Sequence, residues 1–273
     1  MHMTGRHRHF QGATEGEDAI GGTQSIRRAL GILRILATAR GAGFGLTDIA
    51  RQAGLTRPTA HRILSILVAE GIVEQKPRTR RYAVGEQIPL LALSRPASSP
   101  VLAAALPHLN AAVSALGDTG FLTLRTGLDT VCLARKFGGY PIQVLALDVG
   151  DRRPLGVSSA GFAILASCDA QEARNIVAQN RRRFSPYGIT TDEALRAVAE
   201  ARQRGYALRD RGLVPGTRAV SVIIRDTGTE ATAALTIAAI ARRLPPQRVT
   251  AVVEQLRDYA AQITLSLERT RPA

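Results

Sequence analysis

Nine polar or basic side chains between positions 57 and 81 have the types and spacing expected of a nucleic-acid-binding surface. The first group is Arg57, Thr59, His61, Arg62 and Ser65, and the second group is Lys76, Arg78, Arg80 and Arg81. An arginine can donate two parallel hydrogen bonds to guanine, and a threonine can contact several base edges. Cationic side chains bind phosphates and position a protein on the duplex. We therefore expect the first group to read bases and the second to contact phosphates or the minor groove.

The first group falls on a predicted helix that runs to about Glu70. Thr56 is a favourable N-cap, and Pro58 suits the first turn, where a missing N–H breaks no hydrogen bond. Four apolar residues recur at helical spacing and predict the inward face of this helix, namely Ala60, Ile63, Leu64 and Leu67. The polar group therefore lies on the remaining, outward faces.

Two earlier helices and a hairpin complete the predicted arrangement. Apolar spacing predicts helices over Ser25–Arg40 and Leu46–Gln52, with Gly54 in the turn before the third helix. Strands are predicted over Ile72–Lys76 and Arg81–Val84, joined by a turn at 77–80. This order is typical of a winged helix-turn-helix. The alternative is a basic helix and a charged hairpin that face only solvent.

The charge of the chain favours the nucleic-acid interpretation. The sequence has 36 basic and 22 acidic residues, a net charge of +14, and 34 of the bases are arginines. Residues 24–86 contain 11 bases and four acids, so the positive charge is concentrated there. Arginine matches phosphate and base edges well, which makes nucleic acid the first partner to consider. A GC-rich genome is the alternative source of an arginine-rich composition.

The rest of the chain predicts an α+β domain around an antiparallel sheet. Helices are predicted over 101–116, 158–166, 194–204 and 245–267, and strands over 121–125, 131–136, 142–147, 218–224 and 231–239, with a turn at 226–228. Capping boxes are predicted at Asp169 with Glu172 and at Thr190 with Glu193. The predicted organisation is a disordered N-terminal arm (1–23), a winged-helix domain (24–86), a linker with a short apolar helix (87–100) and a second domain (101–273).

Apolar residues of the first helix and the linker helix predict self-association. They offer more apolar surface than a small domain can cover alone, and they are Ile26, Leu30, Leu33, Leu90 and Leu93. We therefore expect at least a homodimer. A palindromic operator follows from two-fold symmetry.

Candidate catalytic and metal-binding residues are few. Cys132 and Cys168 lack a matching His–Asp constellation, and His108 has the pattern of a structural histidine. The sequence has no nucleophile motif or phosphate-binding loop, and the histidines of the arm match no standard metal-site spacing. No apolar run is long enough to span a membrane, so a cytoplasmic protein is expected. We expect neither enzymatic activity nor a cofactor or metal; the alternative is an enzyme of small acidic metabolites with an appended nucleic-acid-binding domain.

Several motifs recur in order along both predicted domains. The first domain contains QSIRRALGILRIL, LTDIARQAGLTRPTAHRILSILVAEGIVEQ and RRYAVG, and the second contains GDTGFLTLRTGLDTVCLAR, VGDRRPLGVSSAGFAILA, RGYALRDRGLVPGTRAVSVIIRD and ALTIAAIARRL. Over residues 24–267 the chain resembles the IclR (isocitrate lyase regulator) family of bacterial transcription regulators. The resemblance implies a winged helix-turn-helix, a dimerising linker helix and a GAF-like effector-binding domain. Such regulators bind palindromic operators as dimers or tetramers, respond to organic or aromatic acids, and repress or activate catabolic genes.

The resemblance also implies site residues. Arg57, Thr59, His61 and Arg62 would belong to the recognition helix. The effector pocket would be lined by Leu145, Ser158, Ser159, Ala160, Asp210, Ala219, Thr236 and Ala238.

The effector loop departs from the family pattern. Gly156 stands where the family usually has a histidine, Phe162 stands where it has a lysine, and Ala219 and Ala238 stand where small polar residues are common. The implied pocket is therefore more apolar than one made for a two- or three-carbon acid. This difference favours a larger or aromatic effector.

Arg153 occupies a position of that loop that is often aliphatic in the family and faces the pocket. A guanidinium can hold a carboxylate through two hydrogen bonds, and such a pair is stronger where water is partly excluded. One hypothesis is therefore that Arg153 anchors the acidic group of the effector. The alternative is that Arg153 turns outward and pairs with Asp148 or Asp151 at the surface.

Overall fold

The computed structural model describes residues 18–39, 42–93, 100–210, 213–225 and 232–269, with side chains from Thr23 onward. The chain divides into two compact units, Met1–Pro96 and Ala97–Ala273. Most of the predicted N-terminal arm and the predicted turn at 226–228 lie outside the described residues.

The described part of the first unit contains four helices and a hairpin. They are α1 (Asp18–Ala37), α2 (Leu46–Ala53), α3 (Arg57–Ala69), β1 (Val73–Gln75), β2 (Tyr82–Val84) and α4 (Gln87–Leu93). The helices and strands predicted from residue 25 onward are confirmed, but α1 begins seven residues before Ser25. Residues 18–23, predicted to belong to the arm, are thus helical. Gly21 and Gly22 are poor helix formers and concealed this extension.

The core of the first unit joins α1, α2 and α3 to the hairpin. Ile32 and Leu36 of α1, Ile49 of α2 and Leu64 of α3 are fully or almost fully buried, and Tyr82 of β2 packs against them. This packing fixes the orientation of α3 relative to β1 and β2. Ile26 and Leu30, which belong to the apolar stripe predicted for α1, lie outside this core and are exposed.

The second unit is an antiparallel sheet with helices on both faces. Its helices are α5 (Pro100–Leu116), α6 (Ser159–Ser167), α7 (Ala170–Asn180), α8 (Thr191–Arg204) and α9 (Pro246–Arg269), and its strands are β3 (Thr119–Thr126), β4 (Asp129–Lys136), β5 (Arg152–Pro154), β6 (Ala207–Arg209), β7 (Thr217–Ile224) and β8 (Ala233–Ile240). The strands lie in the order β5-β4-β3-β8-β7-β6. The α+β architecture predicted from the sequence is confirmed.

Strand residues alternate between two separate cores, as the two-residue repeat of a strand requires. On one face, Leu122, Val220 and Leu235 pack with residues of α5 and α9. On the other face, Ala234 packs with α6, α7 and α8, while Phe121 packs with residues of the segment 137–151. The second face therefore has two apolar clusters with space for a site between them.

The strand predicted over 142–147 is wrong. This segment has alternating exposure, with Val144 buried and Leu145 67% exposed, but it pairs with no strand. Side chains hold it instead, because Thr119 Oγ1 accepts a hydrogen bond from the N–H of Val144 and donates one to Gln143 Oε1, each at 2.8 Å. The edge of the sheet is formed by the short β5, which pairs with β4 and was not predicted.

A buried carboxylate joins the start of β3 to the C-terminal part of the chain. Asp118 is 1% exposed and accepts hydrogen bonds at 2.6 Å from Arg243 Nε and Arg248 Nη2. Both arginines also donate to the carbonyl oxygen of Leu116, the last residue of α5. This cluster holds α5, β3 and α9 together.

The capping box predicted at Thr190 with Glu193 is confirmed, whereas only the Asp169 half of the one predicted at Asp169 with Glu172 is present. Thr190 and Glu193 form the reciprocal capping box predicted for α8. Asp169 accepts hydrogen bonds from the first N–H groups of α7, but the carboxylate of Glu172 accepts a bond from Arg125 at 2.7 Å. Glu172 therefore links α7 to β3.

Candidate functional site

The N-terminus of α3 is fixed by its own side chains. The hydroxyl of Thr56 accepts a hydrogen bond from the N–H of Thr59 at 3.4 Å, and the two hydroxyl groups lie 2.9 Å apart. Pro58 lies in the first turn, as predicted. The Thr59 hydroxyl is thus positioned by Thr56.

The outward face of α3 carries the predicted base-reading group. Arg57, His61, Arg62 and Ser65 are exposed, whereas Thr59 is partly buried. Ser65 Oγ donates to the carbonyl oxygen of His61 at 3.0 Å. Within the described part of the chain, the guanidinium groups of Arg57 and Arg62 have no hydrogen-bonding partner and remain available to a ligand.

The hairpin presents a second set of cations beside α3. The N–H of Lys76 donates to the carbonyl oxygen of Arg81 at 2.8 Å, and the N–H of Arg80 donates to that of Lys76 at 2.9 Å. Arg80 adopts φ 55°, a left-handed conformation that is uncommon for a residue with a Cβ. This turn leaves the side chains of Arg78 and Arg80 exposed at its tip.

Arg81 has a structural contact that the sequence did not predict. Its Nε donates to the carbonyl oxygen of Gly43 at 3.0 Å, and Phe44 pairs with Tyr82 through two backbone hydrogen bonds. Gly43 has φ 71°, and a Cβ there would lie 2.5 Å from the carbonyl oxygen of Tyr82. Arg81 therefore connects the hairpin to the segment before α2, and Arg78 and Arg80 are the better-placed ligands for phosphate.

A small cavity lies on the sheet face opposite α5 and α9. The centre of a water molecule can occupy about 40 Å³ of it. Its lining comes from three strands, one helix and two connecting segments. The lining residues are Phe121 and Thr123 of β3, Leu147 of the segment 137–151, Ser158, Ser159 and Ala160 at the start of α6, Arg209 of β6, Leu213 after β6, and Thr236 of β8. The cavity combines apolar walls with hydroxyl groups and one guanidinium, which is typical of a site for a small polar-ended ligand.

The lining hydroxyl groups of Ser159 and Thr236 are joined by Ser221, which does not itself line the cavity. Ser221 Oγ donates to Ser159 Oγ at 2.8 Å and lies 2.7 Å from Thr236 Oγ1. Thr123 is 2% exposed, and its Oγ1 has no hydrogen-bonding partner within the described chain. A buried hydroxyl without a partner is unfavourable, so Thr123 marks a place where a ligand atom would be stabilised.

The N-terminus of α6 forms another wall. Ser158 caps this helix by accepting a hydrogen bond from the N–H of Gly161 at 3.1 Å. The N–H groups of Ser159 and Ala160, in the first turn, have no acceptor inside the helix itself. Backbone donors at a helix N-terminus favour an anionic group.

Arg209 contributes the guanidinium of the cavity. Its Nη1 donates to the carbonyl oxygen of Val157, and its Nη2 donates to that of Tyr187 at 3.4 Å. Burial lowers the pKa of Arg209, and the nearby positive charge of Arg153 lowers it further. An arginine remains charged in proteins. The lowered pKa therefore indicates that the positive charge of Arg209 is partly shielded from water.

Arg153 lies next to this cavity but does not line it. Its Nη2 donates to the carbonyl oxygen of Ala146 at 2.5 Å, and its Cζ lies 5.5 Å from the centre of the Tyr187 ring. The two candidate surface partners make other contacts, because Asp148 pairs with Arg135 and Asp151 accepts the N–H of Asp148 at 2.8 Å. The alternative of a surface pair with Asp148 or Asp151 is therefore wrong, and Arg153 instead contacts a carbonyl group and a ring.

The structure brings together four of the predicted effector residues, namely Ser158, Ser159, Ala160 and Thr236. Leu145 is mostly exposed, and Asp210 pairs with Arg218 at the surface. Ala219 and Ala238 lie opposite each other on β7 and β8 and belong to the apolar cluster beside the cavity.

Sequence reasoning missed five lining residues, namely Phe121, Thr123, Leu147, Arg209 and Leu213. The two-residue alternation of β3 was a usable signal for Phe121 and Thr123, because both face the same side as Thr236 of the neighbouring strand. Arg209 had no such signal, since the three-residue β6 was not predicted.

Among the described residues, no three His, Cys, Asp or Glu side chains lie close enough together to hold a metal ion. Burial raises the pKa of the Cys168 thiol above its usual range, which disfavours the nucleophilic thiolate. None of the described helices is long and apolar enough to cross a membrane.

Both halves of the chain match known protein families. Residues 25–77 match the IclR helix-turn-helix domain, and residues 96–265 match the family described as bacterial transcriptional regulator IclR C-terminal. The second match alone covers more than half of the chain.

Two regulators are similar over almost their whole length. The HTH-type transcriptional regulator BhcR of Paracoccus denitrificans is 27% identical over 271 residues, covering 98% of this chain and 96% of the relative. The probable transcriptional regulator SauR of Cupriavidus necator is 31% identical over 243 residues, covering 88% and 93%.

A solved structure also resembles this fold. The crystal structure of an IclR homolog complexed with 4-hydroxybenzoate, from Microbacterium hydrocarbonoxydans, is 26% identical, with a TM-score of 0.71 and coverage of 90% of this chain and 100% of that one. These relatives are regulators, and the family is a regulatory rather than an enzymatic one, as expected from the sequence. The chain, with its winged helix-turn-helix and its sheet-based effector domain, belongs to the IclR family of bacterial transcriptional regulators.

Proposed function

We propose that this regulator binds a palindromic operator as a homodimer or homotetramer, and that a small organic acid changes its binding or activity. The target genes are proposed to be catabolic, and the place of action is the cytoplasm, where a bacterial chromosome lies. The observation that carries the DNA-binding part is the outward face of α3, where Arg57 and Arg62 are exposed and without partners in the described chain.

The proposed division of labour follows the predicted domains. Residues 24–86 bind DNA, residues 101–273 bind the effector, and residues 87–100 connect them. The nine residues proposed to contact DNA are those singled out in the sequence, with Arg81 mainly supporting the hairpin.

Exposed apolar side chains support the proposed dimer. Ile26 and Leu30 of α1 are 63% and 47% exposed, and Leu90, Leu91 and Leu93 of α4 are also exposed. Apolar surface of this extent in two helices is typical of a surface that another subunit covers. A second copy placed by a two-fold axis would present a second α3 to the next half-site.

The cavity on the sheet supports an organic acid as the effector. Its apolar walls suit a carbon skeleton, and the α6 N-terminus and Arg209 suit a carboxylate. The relative from Microbacterium hydrocarbonoxydans was crystallised with 4-hydroxybenzoate, an aromatic acid. An aromatic acid is therefore the first class of effector to examine.

Operator binding is tested by selecting duplexes from a random pool with the full-length protein and measuring their affinity by fluorescence anisotropy. We expect selected sequences with two-fold symmetry and an affinity far above that for unselected DNA. Affinity that is equal for selected and unselected duplexes across a salt titration would contradict sequence-specific binding.

Effector binding is tested by thermal unfolding of the protein in the presence of organic and aromatic acids. A ligand that binds only the folded protein raises the melting temperature. An acid that does so is then expected to change the anisotropy titration with the selected operator. If no acid in the set stabilises the protein, the organic-acid part of the proposal fails, whereas the operator part stands.

A further inference from the structure

Ile66 is an exposed apolar residue on the outward side of α3. It is 60% exposed, although Ile63 and Leu64 of the same helix are buried in the core of the first unit. Leu67 packs against that core as well, whereas Ile66 belongs to none of the apolar clusters formed by the described residues. Exposure of so large an apolar side chain to water is unfavourable, so a ligand that covers it gains affinity.

Helical spacing places Ile66 in one row with two residues of the predicted base-reading group. Arg62 precedes it by one turn and Thr59 by two turns, and side chains spaced in this way lie on one face of a helix. The segment from Thr59 to Ile66 spans about 10 Å of the helix axis, which matches the height of about three stacked base pairs. If Thr59 and Arg62 read bases in the major groove, Ile66 therefore reaches the edge of a further base pair.

The charges around Ile66 favour DNA over a second protein surface as its partner. The helix contains two arginines, Arg57 and Arg62, and no acidic residue. Both arginines are exposed and have no hydrogen-bonding partner in the described chain. An apolar protein surface that covered Ile66 would also take these cations out of water, which is unfavourable, whereas a duplex offers phosphates beside its base edges.

Thymine has the base edge that matches an isoleucine side chain. In the major groove it presents a C5 methyl group, whereas the other bases present hydrogen-bond donors and acceptors there. Contact between Ile66 and this methyl group removes apolar surface of both partners from water. An amino or carbonyl group at the same place would lose its water without gaining a hydrogen bond.

We propose that Ile66 is a specificity-determining residue that recognises a thymine methyl group in each operator half-site, beside the bases that Thr59 and Arg62 read. This inference rests on the proposed operator binding. It adds an apolar contact to the nine residues proposed above, from which Ile66 was absent because that set contains hydrogen-bonding side chains alone.

Replacement of thymine by uracil in the selected operator tests this assignment, because uracil differs from thymine only in lacking the C5 methyl group. Each thymine is replaced in turn together with its symmetry mate, and the affinity of the full-length protein is measured by fluorescence anisotropy. We expect one such pair to weaken binding about ten- to twentyfold, since each lost methyl contact costs about fourfold. Replacements elsewhere are expected to change the affinity little.

Substitution of Ile66 assigns the methyl contact to this side chain. Ile66→Ala is expected to weaken binding to the thymine operator about tenfold and to bind the thymine and uracil operators equally, because the two changes remove the same contact. Ile66→Val is expected to retain part of the preference for thymine.

Val68→Ala is the matched control. Val68 is also exposed on α3, but it lies two residues further on and therefore on the opposite side of the helix. Its substitution is expected to leave the preference for thymine unchanged. Circular dichroism and light scattering of each variant establish that its fold and molecular mass are unaltered.

Three results would overturn the inference. If no thymine replacement weakens binding of the unaltered protein, there is no methyl contact to assign. If Ile66→Ala still prefers thymine to uracil as strongly as the unaltered protein does, another residue reads the methyl group. If Ile66→Ala lowers the molecular mass and leaves the thymine preference unchanged, Ile66 belongs to a subunit interface. In all three cases the selected operator is still bound and the proposed function stands, whereas failure to select any sequence would contradict both.

Discussion

The two candidate sites of this protein present their functional groups in opposite ways. In the first unit, Arg57 and Arg62 are exposed on α3 and have no partner in the described chain. In the second unit, Ser159, Ser221 and Thr236 are buried and bonded to one another. The exposed arginines of α3 are available to a large partner, and no existing hydrogen bond of the described chain has to break first. Side chains of the second kind hold one another in positions that the fold sets.

This difference leads to different consequences of mutation. A substitution on the outward face of α3 is expected to remove a proposed contact with DNA and to leave the core intact. A substitution among the buried polar groups of the second unit leaves unpaired partners in the interior, which destabilises the fold. Three predictions test this contrast, in order of decreasing expected effect.

Asp118→Asn is expected to destabilise the second unit by about 3 kcal/mol, because two partly buried arginines lose their shared carboxylate. The loss is measured as the change in thermal unfolding of the full chain. The matched control is Asp48→Asn in the first unit, whose ion pair with Arg51 is exposed on both sides. We expect the control to change stability by less than about 1 kcal/mol. Equal losses in the two variants would remove the contrast.

Arg57→Ala is expected to weaken binding to the selected operator by about 1–3 kcal/mol and to relax sequence preference, because a base contact is lost. Arg80→Ala is expected to weaken binding to all duplexes alike and to lower the salt slope by about 1, because a phosphate contact is lost. Fluorescence anisotropy at several salt concentrations measures both. Arg174→Ala on α7 is the control, since this exposed arginine lies in the second unit and donates hydrogen bonds to Gln171. If Arg57→Ala instead lowers the affinity for all duplexes alike, Arg57 contacts the DNA phosphates rather than the bases.

Thr56→Ala and Thr190→Ala compare one helix cap in each unit. Each is expected to cost about 1 kcal/mol of stability, because an N-cap hydrogen bond is lost. Only Thr56→Ala is also expected to change operator preference, since Thr56 positions the hydroxyl of Thr59. Thermal unfolding and anisotropy are measured on the same samples. Altered operator preference in Thr190→Ala would show that caps affect DNA reading through stability alone.

The winged helix could be predicted from the sequence because its signals are local. The cap at Thr56, the turn at Gly54 and the apolar stripe on α3 lie within a few residues of one another, and each is confirmed. The contact from Arg81 to Gly43 could not be predicted, because it joins residues 38 positions apart.

The cavity was only partly predictable because its walls come from distant segments. Ser158, Ser159, Ala160 and Thr236 were expected from the family resemblance and do line it. Arg209 was missed because β6 has only three residues and no clear periodicity. The error at 142–147 has a related cause, since an alternating pattern predicts which side chains are buried but does not show what the backbone pairs with.

The alternation of β3 and β8 has a consequence for how this regulator can evolve or be engineered. Thr123 and Thr236 face the cavity, while their neighbours Leu122 and Leu235 belong to the core against α5 and α9. Selection for a new effector can therefore act on the first pair while the second pair keeps its packing. A sensor with altered ligand preference is best sought by varying Thr123 and Thr236 together with Ser221, which is hydrogen-bonded to Thr236.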